Sequence, residues 1–227
     1  MDDNSVRANL VGGLVDYWPL TEKSGARRSL TGRNNMTDNN TVTDNSGLYG
    51  MVAQMSASNT EYLSRADNDD LDTGNIDFTW TAWVYLDTLG ANRTIISKHG
   101  AVNNGEYMLR INTSNRVEFS IYDGTSVQTL ENTLVTIVAE RWYFISAWID
   151  RNGNTVNILI DNGNLVSVAK TITIVASTII FTIGTPGNVA NVWNGRMGAI
   201  GFWKRILSMQ DISYIYNNGL GRPLFIV

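Results

Sequence analysis

The sequence predicts an all-β fold, an antiparallel sandwich of two sheets with one short C-terminal helix, on three observations. Residues 78–87, FTWTAWVYLD, hold two Trp, one Tyr, one Phe and β-branched Thr and Val with no Gly or Pro. That composition suits a pleated, well-buried strand better than a helix. Residues 141–150, RWYFISAWID, repeat the character with two more Trp, and the pair reads as the heart of the sandwich. Around them, short apolar runs recur between Gly, Asn and Asp turn signals, with a single helical pattern at the end.

Taken in order, residues 1–10 read as a polar arm. Leu14, Val15, Tyr17, Trp18 and Leu20 then form a first strand, stopped near Pro19 and the Ser24-Gly25 turn. Residues 26–61, rich in Asn, Thr, Ser and Gly, predict short edge strands and long loops. Tyr62-Leu63 opens a strand running into the acidic turn Asp67-Asn68-Asp69-Asp70-Leu71-Asp72. In the central strand, alternation places Phe78, Trp80, Ala82, Val84 and Leu86 on one face, and Thr79, Thr81, Trp83 and Tyr85 on the other. Both faces are apolar enough for the middle of a sheet.

Further strands are predicted at 94–98, 106–111 and 117–122, then within a polar-to-apolar run at 125–138. Residues 142–150 and 155–161 form a hairpin, with Asn152-Gly153 expected to supply the positive φ values of a tight turn and Asn162-Gly163 to end the second strand likewise. Segments 166–174, 177–184 and 195–206 complete the strands. Ser208 caps the helix, Asp211 three residues on makes a capping-box pair, Ile212, Ile215 and Tyr216 follow at helical spacing, and Asn217-Asn218-Gly219 closes it. No boundary interrupts residues 11–220, which read as one domain. Residues 221–227 are an apolar tail, expected to pair as an edge strand or to dock on a neighbouring copy.

Composition narrows the function. The 17 Lys and Arg against 21 Asp and Glu give −4, and the basic residues do not cluster, which argues against nucleic acid and against an anionic membrane surface. There is no Cys, so disulfides, thiolate metal sites and thiol nucleophiles are excluded, and a single His leaves little for His-dependent catalysis. No apolar run approaches the roughly 18 residues of a membrane span. The acidic, polar start MDDNSVRANL is no secretory signal peptide, so synthesis in a cytoplasm is expected.

The order of motifs resembles the concanavalin A-like jelly roll in its laminin G-like (laminin G domain 3) branch. LVDYWPL resembles that family's opening strand, and EYLSRADNDDLDTGNIDFTWTAWVYLD the segment leading into its central strand. RWYFISAWIDRNGNTVNILIDNG resembles its Trp-led hairpin, and GRMGAIGFWKRILSMQDISYIYNNG its closing strand and helix. The likeness spans nearly all of residues 11–220. One departure stands out: similar domains carry an acid soon after the Gly that opens the closing strand, whereas this chain reads Gly195-Arg196-Met197-Gly198-Ala199. The resemblance implies a jelly-roll sandwich, a fold that hosts both lectins and glycoside hydrolases.

Each chemistry leaves a test in the residues. Hydrolysis needs two carboxylates about 5–10 Å apart, and no E-x-D-x-E alternation exists: Glu118 stands alone on its strand, and Glu106, Glu131 and Glu140 lack an acid at i+2. No enzyme is expected. Asp67, Asp69, Asp70 and Asp72 are candidate Ca²⁺ ligands, but their loop lacks the Gly and terminal Glu of an EF-hand, and a solvated turn is the stronger reading of them. Sugar binding needs exposed aromatics beside fixed polar groups. The candidates are Trp193 in its Gly/Asn-rich loop with Asn194 and Arg196, together with Tyr122, Arg110, His99 and Asn104. Trp80, Trp83, Trp142 and Trp148 read as core or sheet-face packing.

The expectation is therefore a non-catalytic carbohydrate-binding or adhesion module for a surface glycan or glycoprotein. A chain without Cys or a signal fits a virion, where a phage decoration or fibre subunit acting through other virion proteins is the alternative.

Overall fold

The computed structural model describes residues 3–224. Its elements run α1 (Asp3–Val11), β1 (Leu14–Trp18), β2 (Thr37–Asn39), β3 (Thr43–Gly47), β4 (Gly50–Met55), β5 (Tyr62–Arg65) and β6 (Phe78–Leu86). There follow β7 (Arg93–His99), β8 (Gly105–Ile111), β9 (Val117–Tyr122), β10 (Val127–Glu131), β11 (Trp142–Asp150) and β12 (Thr155–Ile160). The chain closes with β13 (Asn164–Ala169), β14 (Phe181–Ile183), β15 (Gly195–Trp203) and α2 (Met209–Tyr216).

Two antiparallel sheets face each other in a jelly-roll sandwich. One follows the order β13-β12-β11-β6-β15-β4-β3, the other β10-β9-β8-β7-β14-β5-β2. β15 is shared on its far edge: β4 pairs its first half and β1 its second, around an irregularity between Met197 and Ile200. The two Trp-rich strands are neighbours, Trp142 opposite Tyr85 through Ile149 opposite Phe78.

The predicted faces of β6 hold. Phe78, Trp80, Ala82, Val84 and Leu86 enter the core between the sheets, whereas Trp83 joins a second cluster with Phe144, Trp148, Trp203, Ile212 and Ile215 beneath the helices. In the main core Trp80 stacks on Phe202 at 4.1 Å between ring centroids, a contact contributing about 0.5–1.5 kcal/mol beyond burial. The capping box of α2 is complete in both directions, Ser208 to Asp211 and back, and Asn217 ends the helix in the left-handed region.

Three expectations are corrected. Residues 3–11 form α1 rather than an arm: Val6 and Leu10, one turn apart, are buried against α2, Trp203 Nε1 donates to the Leu10 carbonyl at 2.8 Å, and Asn9 Nδ2 donates to Asp211. A nine-residue helix is marginal alone and forms through such docking. In the β11–β12 and β12–β13 hairpins the positive φ lies at Asn154 and Asp161, not at the glycines. A Cβ at Gly153 would lie 2.5 Å from Asp150 Oδ2, so the Asp150 carboxylate would have to shift to admit one. The strands expected at 125–138, 166–174 and 177–184 shorten to β10, β13 and β14. Of the apolar tail, Leu224 is buried and its N–H donates to Tyr17 Oη, while Phe225, Ile226 and Val227 lie outside the described residues.

Candidate functional site

β6 and β15 run side by side through the middle of their sheet and are buried along their whole length but for one residue each, Tyr85 and Arg196. These two are opposite one another in register. The row continues on both sides: Trp142 of β11 faces Tyr85, Gln54 of β4 faces Arg196, and Thr43 of β3 faces Gln54. Five strands thus present Trp, Tyr, Arg, Gln and Thr in a line on the outer face of the sheet.

The row is held in place. The Tyr85 and Trp142 rings lie 5.5 Å apart at 53°, and the Arg196 guanidinium carbon sits 4.1 Å from the centre of the Tyr85 ring. Arg196 Nη1 donates to the Ser46 carbonyl at 3.1 Å. Gln54 Nε2 donates to Asp87 Oδ2 at 3.2 Å while its Oε1 accepts from Asn45 at 3.2 Å. Tyr85, Trp142, Arg196 and Gln54 are all partly exposed. Here an apolar footing lies beside a cation and fixed amide groups, the arrangement that fits a sugar ring and its hydroxyls.

The structure divides the predicted ligand residues. Trp193 is fully buried in the core between the sheets, its backbone N–H bonded to the Gly184 carbonyl, so it is no stacking platform. Asn194 spends its side chain locally, donating to Thr88 Oγ1 and accepting from the Ala57 N–H. Arg196 alone of that group joins the row. The sequence does not single out Tyr85 or Gln54 as ligand contacts, and it reads Trp142 as packing. Alternation assigns Tyr85 to the face opposite the core but is silent on its exposure.

His99, Tyr122 and Arg110 gather on the other sheet, without the exposure expected of them. His99 stacks on Tyr122 at 4.3 Å and donates from Nε2 to the Val102 carbonyl at 2.7 Å, leaving Tyr122 buried beneath it. Burial, reinforced by the charge of Arg110, pushes the His99 imidazole below its ordinary value. Asn104 is exposed in the neighbouring turn, where its backbone closes the loop with Gly100 and Ala101. Arg110 Nε donates to Glu118 Oε2 at 2.6 Å.

Glu118 is not alone in space, because it stands opposite Glu131 on β10. Asn112 Nδ2 bridges the two, donating to Glu118 at 2.7 Å and Glu131 at 2.6 Å, and Arg116 pairs with Glu131 at 3.7 Å. Spacing at i+2 along one strand carries no trace of a pair formed across two.

The four candidate calcium ligands do not converge. Asp67 Oδ1 and Asp72 Oδ1 lie 2.8 and 2.7 Å from Lys98 Nζ, Asp70 pairs with Arg33 at 3.5 Å, and the Asp69 carbonyl accepts from Lys204. Two of the four thus share the Lys98 ammonium. Fully buried Glu106 accepts from Lys98 at 2.8 Å, and the Ser177 carbonyl accepts the remaining ammonium proton. An ammonium has only three protons, which accounts for Asp72 Oδ1 touching Nζ without a hydrogen bond. Burial alone would raise Glu106, but bonds from Lys98 and from the Thr73 and Ser177 N–H groups hold it below its ordinary value. Asp72 is pushed up by burial and by its acidic neighbours. Among the described residues no group of three or more His, Cys, Asp or Glu is arranged to hold a metal.

The model of the Concanavalin A-like lectin/glucanases superfamily matches residues 57–213. Among solved structures, the binding domain of Paraclostridial Mosquitocidal Protein 1 superposes with a TM-score of 0.73 at 11% identity, over 94% of this chain and 53% of that one. The botulinum neurotoxin serotype D ligand-binding domain, solved with N-acetylneuraminic acid, gives 0.67 at 16%, over 94% and 52%. Domain 4 of a GH43 extracellular arabinanase from Geobacillus stearothermophilus, solved with arabinotriose, gives 0.66 at 12%, over 92% and 98%. The chain spans about half the length of the toxin domains it matches. No curated protein matches it in sequence. At such identities the likeness establishes a shared fold.

Proposed function

We propose a glycan-binding role for this chain, which belongs to the Concanavalin A-like lectin/glucanases superfamily. The observation that carries the reading is the row Trp142–Tyr85–Arg196–Gln54, where two central strands break their burial at facing positions. A pyranose offers a C–H face that packs on an aromatic ring and a rim of hydroxyls that bond amides and guanidinium. Two structural neighbours were solved with sugars, which supports the same reading.

The module is non-catalytic in this proposal. Glu118 and Glu131 are already engaged by Arg110, Arg116 and the shared Asn112, so neither is left free to deliver a proton to a leaving group. Its place is a cell or virion surface, where glycans are presented. A subunit role in an assembly is the second reading, favoured by β13, which forms an outer edge of its sheet and exposes Leu165 and Val168.

A glycan and surface-polysaccharide screen of wild type, Tyr85→Ala and Trp142→Ala tests the proposal. Binding by wild type that both variants lose is the expected result. Wild-type protein that binds nothing in the screen would overturn it, and a mass above the monomer by light scattering would then favour the assembly reading. Release of reducing ends from a bound oligosaccharide would overturn the non-catalytic part.

A further inference from the structure

We propose that the ligand of this row is a carboxylated sugar, a uronate or a sialate, whose carboxylate is received by Arg196. The inference rests on the glycan-binding reading and adds the charge of the ligand to it.

Arg196 is a cation that the protein leaves without a counter-ion. Its guanidinium lies on the Tyr85 ring at 4.1 Å, Nη1 donates to one backbone carbonyl, and Nε is buried with no partner. Among the described residues it makes no ion pair. Arg110, Arg205 and Arg141 are committed to acids, to Glu118 at 2.6 Å, Asp211 at 3.1 Å and Asp161 at 3.3 Å. Arg65 and Arg93, like Arg196, donate to a backbone carbonyl and keep a buried Nε without a partner, but of these three only Arg196 lies over an aromatic ring. The nearby Asp87 is engaged by Gln54 instead.

Guanidinium is a rigid planar fork suited to a carboxylate. Its seat over the Tyr85 ring and its bond to the Ser46 carbonyl hold the side chain in place in advance, so little rotamer freedom is lost when an anion arrives. Tyr85 and Trp142 supply apolar footing on one side of that cation for the ring that carries the carboxylate. A neutral sugar could use the footing but would leave the charge uncompensated. The ligand should therefore be anionic, and its charge should be a planar carboxylate on or next to a ring.

The test is isothermal titration of the full chain with two matched pairs: sialyllactose against lactose, and trigalacturonate against its methyl ester. In at least one pair the acid should bind about tenfold or more tighter, the value of a charge-assisted hydrogen bond, and the pair that responds distinguishes sialate from uronate. Arg196→Gln should erase the preference with the melting temperature little changed. Arg196→Lys, which keeps the charge and loses the fork, should retain part of it. Rising salt should weaken the acid selectively in wild type. Equal affinities within both pairs, or a preference that survives Arg196→Gln, would overturn this inference and leave the glycan reading standing. Failure of every sugar, neutral ones included, would overturn both.

Discussion

Tyr85 and Arg196 face each other across β6 and β15, the guanidinium carbon 4.1 Å from the ring centre, and each is the only residue of its strand that is not buried. A protein that hides every other side chain of its two central strands keeps a cation on an aromatic ring at the surface. Such a contact is worth about 0.5–1 kcal/mol at an exposed site, too little to explain the row as a device of stability. The recognition role proposed for the row supplies a different reason for it.

Trp193→Ala should behave as a core mutation. With the side chain fully buried between the sheets, truncation should cost about 3–5 kcal/mol and lower glycan binding only through the unfolded fraction. Denaturant melts beside binding assays decide the matter. A Trp193→Ala protein as stable as wild type that no longer binds would restore Trp193 as a ligand contact.

Lys98→Met should leave buried Glu106 beside Asp67 and Asp72 with no cation, at a cost of about 3–5 kcal/mol. The pH dependence carries a sign. Glu106 is held below its ordinary 4.5, so its contribution is present above that pH and is lost as pH falls through the lowered folded value. Asp72, which is raised, opposes this in part. Lys98 is raised from 10.5: burial lowers it, but its close contacts with the carboxylates of Asp67, Asp72 and Glu106 outweigh that. Its share is present below 10.5 and disappears as pH rises through the raised value. In Lys98→Met, burial dominates at Glu106, and acid should stabilise the variant relative to wild type. Urea midpoints across pH that run parallel for the two proteins would contradict this.

Gly195→Ala should break the pairing of β15 with β6. Gly195 has φ +142°, and a Cβ there would lie 2.2 Å from the Tyr85 carbonyl oxygen. The clash is with backbone in the middle of a sheet, so a loss above about 3 kcal/mol is expected. Near-native melting would show that the strand pair can shift to make room.

Ser208→Ala should remove one arm of the capping box and cost about 1 kcal/mol, or roughly 2–4 °C in melting temperature for a domain of this size. Asp211 is affected too. Burial would raise its carboxyl, but bonds from Asn9, Ser208 and Arg205 hold it low. The Asn9 and Arg205 bonds should survive, so α1 should stay docked; loss of α1 helicity by circular dichroism would argue otherwise.

Alternation in residues 78–87 and 141–150, the turn residues and the Ser208-Asp211 pair determined the sandwich, the faces of its central strand and the closing helix. These are local signals, readable because side-chain period and capping chemistry depend on near neighbours in the chain. The site depended on relations the chain does not carry locally. Glu118 meets Glu131, and Lys98 meets Asp67, Asp72 and Glu106, through strand register and loop closure. Val6 and Leu10 carry no helical signal above their polar neighbours; burial against α2 is what makes α1. Tyr85 and Trp83 share one face of β6, yet Trp83 is buried with Tyr216 stacked on it while Tyr85 is open. The eight-residue α2 is about 12 Å long, and the nine-residue β6 extends about 30 Å. A helix that short covers part of the face and leaves the rest exposed, and which end it leaves is decided by where the chain returns to dock.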